Sequence, residues 1–414
     1  MVEAANIKKR FNNPFTSLKH KNFRYYWLGM CVSLIGTWMQ NTAQPWLAYD
    51  LTRSPFLVSL IGALQFTPVL LLSLFAGVII DRFSKKKILL ITQGSSMLIT
   101  LILSLLVLTG TIAYWHIVVL SIALGFVNTF DMPTRQSFVI EMVGKEDLVN
   151  AVALNSSVFN IARVIGPTVA GIIMANLGVA ACFLANSISF GAVLLSLFFI
   201  RPRETRKEPR GDGRIITDIK DGLLYIYKKD ILRDTIFMVL IVGIFAMNLS
   251  VLVPVFAKEV LHQKAAGFGF LMSCTGIGSF LGAMMLATLS KSSPRKFFLN
   301  IVPLILGLFL ITTGFAGSFI LAGLCLAASG FLFISFSSSA NSTMQLASDD
   351  AYRGRVMSVY SLVFGGSTPI GNLYTGIFTD RFGARIGFGA CGLAMVLLLI
   401  PLYIFRKLRK PHEA

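Results

Sequence analysis

Long apolar runs broken by short charged turns fill this chain from about residue 25 onward. They lie near 25–49, 56–80, 88–108, 115–136, 149–176, 179–200, 234–257, 267–289, 297–316, 319–341, 356–378 and 386–405. An α-helix needs about 20 apolar residues to cross roughly 30 Å of hydrocarbon. It also satisfies its own backbone hydrogen bonds there, which an open strand does not. The pattern predicts an all-α membrane protein with twelve transmembrane helices.

The longest polar interruption, Arg201 to Arg233, holds ten basic and six acidic residues and divides six runs from six. It predicts an N-terminal half over 1–200, a cytoplasmic linker over 201–233 and a C-terminal half over 234–414. Ile215, Ile216, Ile219, Leu223 and Ile226 recur at near-helical spacing within the linker. That suits either a helix lying at the membrane surface or a solvated strut. The halves echo each other at an offset near 205 residues: Gly125-Phe126 matches Gly330-Phe331, Arg135-Gln136 falls opposite Ala340-Asn341, and Pro45 has its counterpart in Pro254. Parallel repeats of this kind predict two pseudo-symmetric six-helix halves with a site between them near the midplane.

Composition agrees, since 55% hydrophobic and 14% charged residues in 414 cannot cover a soluble globule. The net charge of +18 is one-sided. With both termini inside, 31 of the 37 Lys and Arg residues fall on the cytoplasmic side. Arg53, Lys258, Lys264, Arg381 and Arg385 fall outside, and Arg163 lies within a run. A positive inner face beside anionic lipid accounts for the charge without nucleic acid. Cys31, Cys182, Cys274, Cys325 and Cys391 lie in apolar runs without paired or metal-type spacing and read as small core residues. Residues 1–21 lack the apolar stretch of a cleaved signal peptide.

Two motifs carry chemistry. Gly77-Val-Ile-Ile-Asp81-Arg82-Phe-Ser84-Lys85-Lys86-Lys87 sets a small residue, a carboxylate and clustered bases at the second helix end. There Asp81 can face a neighbouring helix N-terminus and Arg82 an adjacent carboxylate. Ala162-Arg163-Val-Ile-Gly166-Pro167-Thr-Val-Ala170-Gly171 gives the fifth helix a small-residue face for close contact and a proline that frees a backbone carbonyl.

Twelve runs as six plus six, the GxxxDR turn and the Gly-Pro fifth run together resemble the major facilitator superfamily. Asp131-Met-Pro133-Thr-Arg135-Gln136-Ser-Phe, Asn155 and Asn160-Ile-Ala-Arg163 are similar to its branch of bacterial exporters that includes the enterobactin exporter and macrolide efflux pumps. The resemblance implies that the turn at Gly77, Asp81, Arg82, Lys85 and Lys86, with Asp131 and Arg135 nearby, is a latch for the outward-open state. Ser84 stands where that pattern usually has Gly. The matching second-half loop, Ser290 to Lys296, has no acid, so latching should be one-sided. The resemblance also assigns Ala162, Gly166, Pro167 and Gly171 to an exporter motif, with Ala162 where Gly is usual.

Arg163 lies about 13 residues, or roughly 20 Å of helix, beyond Asn150 and so near mid-membrane. It needs a partner, either Asp131 or an anionic, acceptor-rich substrate. Asp131 has rival partners in Arg135, at i,i+4, and Arg82. It reads as the one carboxylate inside a run. Asp131 and then Asp50 are the candidates for proton coupling. Trp38, Asn41, Gln44, Gln65, Asn155, Asn160, Arg163, Asn248, Asn341, Gln345, Asn372 and Tyr374 sketch a cavity, with Trp38, Asn41 and Gln44 read as one face.

No GxxxxGK[ST] occurs, so direct ATP drive is not expected. The expectation is a non-enzymatic secondary transporter of the bacterial inner membrane, monomeric and without metal or cofactor. It uses an ion gradient, expected to be protons, to expel an amphipathic small molecule such as a siderophore, macrolide or drug. An importer or lysophospholipid flippase is the rival in the same class, and a transport-dead sensor or scaffold the rival outside it.

Overall fold

The computed structural model describes residues 15–144, 146–200, 215–289 and 296–408. After a short turn at Thr16–Lys19 come α1 (Lys21–Thr52), α2 (Pro55–Arg82), α3 (Lys85–Leu108), α4 (Tyr114–Val143), α5 (Leu148–Leu177) and α6 (Val179–Phe199). Helix α7 (Ile215–Lys228) leads to α8 (Asp230–Ala246), α9 (Leu249–Val255) and a π turn at Phe256–Val260, which together make one crossing. Then follow α10 (Ala265–Leu289), α11 (Lys296–Asn300), α12 (Val302–Phe315), α13 (Phe319–Leu346) and α14 (Asp350–Leu408).

Ten segments of the described residues are long and apolar enough to span a membrane. The last of them, Tyr352–Ile404, is two crossings. Gly383 sits inside α14 at φ 81° and ψ 167°, a conformation that a side chain would strain, and it bends the helix there. Helix α1 completes the twelve; it falls outside the ten because Gln40, Asn41 and Gln44 occupy its middle.

The repeat is visible in the backbone. Gly178, between α5 and α6, adopts φ 82° and ψ 168°, the conformation of Gly383 at an offset of 205. Among the described residues, Arg53 after α1 and His262 before α10 are the two non-glycine residues with positive φ, at 55° and 51°. Local signals fix other ends: Ser54 and Ser318 cap α2 and α13, their hydroxyls accepting from the amides of Leu57 (3.3 Å) and Leu321 (3.2 Å).

In the first half α1 packs on α5 and α6, α3 on α4 and α6, and α2 on α4. In the second, α10 packs on α13, α12 on α13 and α14, and α14 on α8. The halves meet along two seams, α5 with α10 and α2 with α14. Glycine makes the first seam close. A Cβ on Gly276 would lie 2.6 Å from the Arg163 carbonyl oxygen, and one on Gly171 3.1 Å from the Ala265 oxygen. The main apolar core runs through the second half and across the seams into α1, α2 and α5, taking in Met39, Trp46, Tyr49, Val58, Met174 and Phe268. A separate core, with Phe23, Tyr26, Leu89, Phe138 and Leu197, fills the first half near the chain's N-terminus. The halves are thus fused towards one end and have separate cores at the end bearing the α2–α3 and α4–α5 turns, here called the terminal end.

Helix α7 docks on α14. Tyr225 stacks on Tyr352 with centroids 4.4 Å apart, Gly222 lies against the Arg355 backbone, and Asp221 pairs with Arg355 at 3.4 Å. Of the predicted apolar row, Ile226 is buried but Leu223 is exposed; the side chains of Ile215, Ile216 and Ile219 lie outside the described residues, as does most of the Ser290 to Lys296 loop.

Candidate functional site

At the terminal end, the turn after Gly77 is bound to its own half. Lys85 Nζ pairs with Glu141 on α4, and Lys86 Nζ donates to the Ile200 carbonyl at 2.7 Å. Arg82 is exposed, and the Asp81 side chain lies outside the described residues. A Cβ on Gly77 would meet nothing within 4 Å, so among the described residues no helix packs closely on it in this state.

Asp131 is 4% exposed, and its carboxylate is fully engaged. Oδ1 accepts from Thr92 Oγ1 and Gln93 Nε2, both at 2.7 Å, while Oδ2 accepts from Arg135 Nε. Arg135 also lies against Met30 Sδ and Tyr26. Of the basic partners open to Asp131, the structure places Arg135 beside it; Arg163 is not its partner. Pro133 leaves α4 continuous, so the i,i+4 spacing survives. Nor is Asp131 the one acid inside a crossing. Glu141 lies on α4, and Asp234 on α8 is buried 3.7 Å from Arg233.

Arg163 stands at the junction of α1, α5 and α10. Its carbonyl meets Gly276, and its guanidinium lies 5.7 Å from the centre of the Trp38 ring. Phe159, one turn earlier, meets the same ring edge-on at 5.5 Å. Among the described residues Arg163 has no carboxylate within ion-pair distance, whereas an intramembrane arginine left bare costs about 3 kcal/mol even on the gentler scales. A ring contact returns about 0.5–2 kcal/mol of that.

The other polar residues divide. Asn41 is exposed on α1, Asn155 and Asn160 are half-buried on α5, and Asn160 bonds its own helix through the Ser156 carbonyl. Gln44 is buried inside the first half, donating to Ser121 Oγ at 2.9 Å. The single face read for Trp38, Asn41 and Gln44 is therefore corrected: six residues turn a helix by about 600°, leaving Gln44 about 120° away from Trp38. Gln44 belongs with Gln40, whose Oε1 accepts from Asn186 (2.6 Å) and Thr100 (3.2 Å). Asn248 sits at the break between α8 and α9, its Nδ2 donating to the Ile244 carbonyl at 2.5 Å, and Asn372 faces Gly62 across the α2–α14 seam. Both are buried, and their Oδ1 atoms lack a donor. Asn341 is half-buried on α13, bonded to Gln345 and Tyr360. Gln65 is half-buried on α2, and Tyr374 donates to the Ala390 carbonyl at 3.3 Å.

The fused end carries a clamp that the sequence did not reveal. The π turn, closed by Leu261 N donating to the Phe256 carbonyl at 3.1 Å, lets the adjacent residues Lys258 and Glu259 both reach the last turns of α1. Lys258 pairs with Asp50, which also lies 3.6 Å from Arg53, and Glu259 accepts from Tyr49. Below them Trp46 stacks on Phe268 at 5.2 Å with 19° between planes. On the second seam Ser54 Oγ donates to Asp380 at 2.6 Å. The proton-coupling candidate Asp50 therefore sits in an inter-half ion pair. The signal was faint: Lys258 and Glu259 look like loop charges unless the π turn is known.

At the terminal end Lys229 pairs with Asp349 at 2.8 Å. That bond, together with Tyr225, holds the Asp349 carboxyl below its usual range and raises the Lys229 ammonium above its own.

This arrangement can be set beside known proteins. The chain is 25% identical to the staphyloferrin A transporter of Staphylococcus aureus over 94% of its length and 98% of that protein. It is 24% identical to the multidrug efflux pump Tap of Mycolicibacterium fortuitum (91% and 93% covered) and 21% to macrolide efflux protein A of Streptococcus pyogenes (94% and 96%). Its fold superimposes on a D-xylose–proton symporter with a TM-score of 0.72 at 13% identity, covering 93% of this chain and 97% of that one. Residues 12–414 match the transmembrane secretion effector family, MFS_3, of the major facilitator superfamily, and the chain belongs to that family of membrane transporters.

Proposed function

We propose that this protein is a secondary active exporter that carries an amphipathic small molecule out of the bacterial cell by alternating access, driven by inward proton flow. The observation that carries the reading is the asymmetry of the two halves. They are clamped at one end by Asp50–Lys258 and Tyr49–Glu259 and keep separate cores at the other, with an arginine lacking a counter-ion at the seam between. The one-sided excess of basic residues supports a cytoplasmic terminal end in the inner membrane. This state is then inward-open, ready to load. Residues 1–200 and 234–414 move as units joined by 201–233, and one chain suffices. In the opposite state the turn at Gly77, Asp81 and Arg82 closes on the second half, while Gly166 keeps α5 close to α1 and the α5–α10 seam, narrow in this state at Pro167 and Gly171, parts. Relatives named for multidrug and macrolide efflux and for a siderophore support the direction and the kind of cargo.

The test is efflux from cells lacking their own exporters, comparing retention of a catecholate siderophore and a macrolide with and without a protonophore. Protonophore-sensitive loss of either compound is expected. Accumulation above the empty-vector control would instead make the protein an importer.

A further inference from the structure

We infer that Arg163 anchors an anionic oxygen group, of the carboxylate class, on a cargo whose remaining body is apolar or aromatic. This rests on the transporter reading and names the cargo's chemistry.

The charges of the crossings set the argument. Asp131 is taken by Arg135, Glu141 by Lys85, Asp50 by Lys258 and Asp230 by Arg233. Arg163 is left with an aromatic face, a contact that leaves its N–H fork unspent. It occupies the sixteenth position of the thirty in α5, about 22 Å of helix from either end. The planar fork matches a carboxylate by two parallel hydrogen bonds. Trp38 and the 43%-exposed Phe159 supply an apolar wall beside it, and Asn41 lies one turn from Trp38. A cationic cargo has no such anchor, because Asp131 is sealed inside the first half.

The position also suits transport. The Arg163 backbone touches Gly276 of the other half in this state, so a group held there sits between the halves near mid-membrane, where alternating access exposes it to either side in turn.

Calorimetry on the full chain in nanodiscs, with 2-naphthoate and its neutral amide 2-naphthamide as probes, tests this. Naphthoate should bind at least tenfold more tightly than naphthamide. Arg163→Gln should erase that preference, and Trp38→Leu should weaken both probes and leave their ratio. Equal affinity of the two probes, no binding of either, or a preference that survives Arg163→Gln in protein with an unchanged melting temperature each overturns the proposal. Should Arg163→Gln not fold, a variant with native Arg163 and Trp38 as its one tryptophan, the other three being replaced by Phe, decides it. Naphthoate must change Trp38 fluorescence at a concentration at least tenfold lower than naphthamide does. Absence of the preference beside intact macrolide efflux removes the anion anchor alone, whereas a preference without efflux removes the exporter reading alone.

Discussion

Gly276→Ala puts one methyl group where the two halves touch. Its Cβ would stand 2.6 Å from the Arg163 carbonyl oxygen and 3.1 Å from both the Arg163 carbonyl carbon and the Val164 Cα, about 0.8 Å inside the 3.4 Å at which ordinary contact begins. All three are backbone atoms, so no rotamer change relieves the clash and the helices must part. Overpacking of this kind costs about 1–3 kcal/mol. The helix-propensity gain of Ala over Gly, about 0.5–1 kcal/mol, applies in both conformations and cancels in their ratio. The inward-open population should therefore fall relative to the outward-open one by about 5- to 150-fold. Double electron–electron resonance between labels at exposed Thr111 and Gly317, in a background with the five cysteines replaced, reads this as a longer distance at the clamped end. Gly191→Ala, whose Cβ meets nothing within 4 Å, is the control. A Gly276→Ala distance distribution matching that of Gly191→Ala would refute the seam argument.

Three other outcomes follow from the same geometry. Lys258→Met removes a partly exposed inter-half pair worth about 0.5–1 kcal/mol, so it should lengthen the same label distance by a two- to fivefold population shift, and adding Asp50→Asn should change little more. Asp131→Asn leaves Arg135 without its counter-charge inside the first half; a loss of about 3–5 kcal/mol should appear as a lower melting temperature in detergent, while an unchanged melt would mean that Thr92 and Gln93 alone hold α3 to α4. The α7 tether has a defined pH window. The depressed Asp349 carboxyl contributes above the ordinary carboxylate range and is lost only as pH falls below it, and the raised Lys229 contributes below the ordinary lysine range and is lost only above it. The protection factors of residues 220–228, exchange corrected for its intrinsic pH dependence, should thus stay flat between about pH 5 and 9 and fall with Asp349→Asn.

The crossings were legible because lipid leaves the backbone one economical choice, and an apolar run of the right length announces it. The repeat was legible in paired residues such as Gly125 and Gly330, and it reappears as matched dihedral angles at Gly178 and Gly383. Pairing was not legible. Asp131 had three candidate bases, and what selected Arg135 was the pocket formed by Thr92, Gln93, Met30 and Tyr26 from two other helices, which no spacing along α4 encodes. Gln44 was misplaced for a simpler reason: residues three apart share a face once, but the lag accumulates over six. The clamp was hidden because a π turn depends on one extra residue in one helical turn, and the apolar run of the seventh crossing hides it.

The placement of ion pairs bears directly on transport. Within the first half the two pairs that involve α4 are shielded: Lys85 and Glu141 are each 14% exposed at the side chain, and the Asp131 side chain is 6% exposed. Across the halves the acid of the Asp50–Lys258 pair is 53% exposed. Shielded pairs are costly to break and hold each half rigid, whereas an exposed pair contributes about 1 kcal/mol or less. The seams combine close glycine contacts with apolar side chains such as Trp46 stacked on Phe268. The two conformations then differ by only a few kcal/mol, a gap that a bound cargo can reverse. A protein built the other way, with buried pairs between its halves, would be held in one conformation.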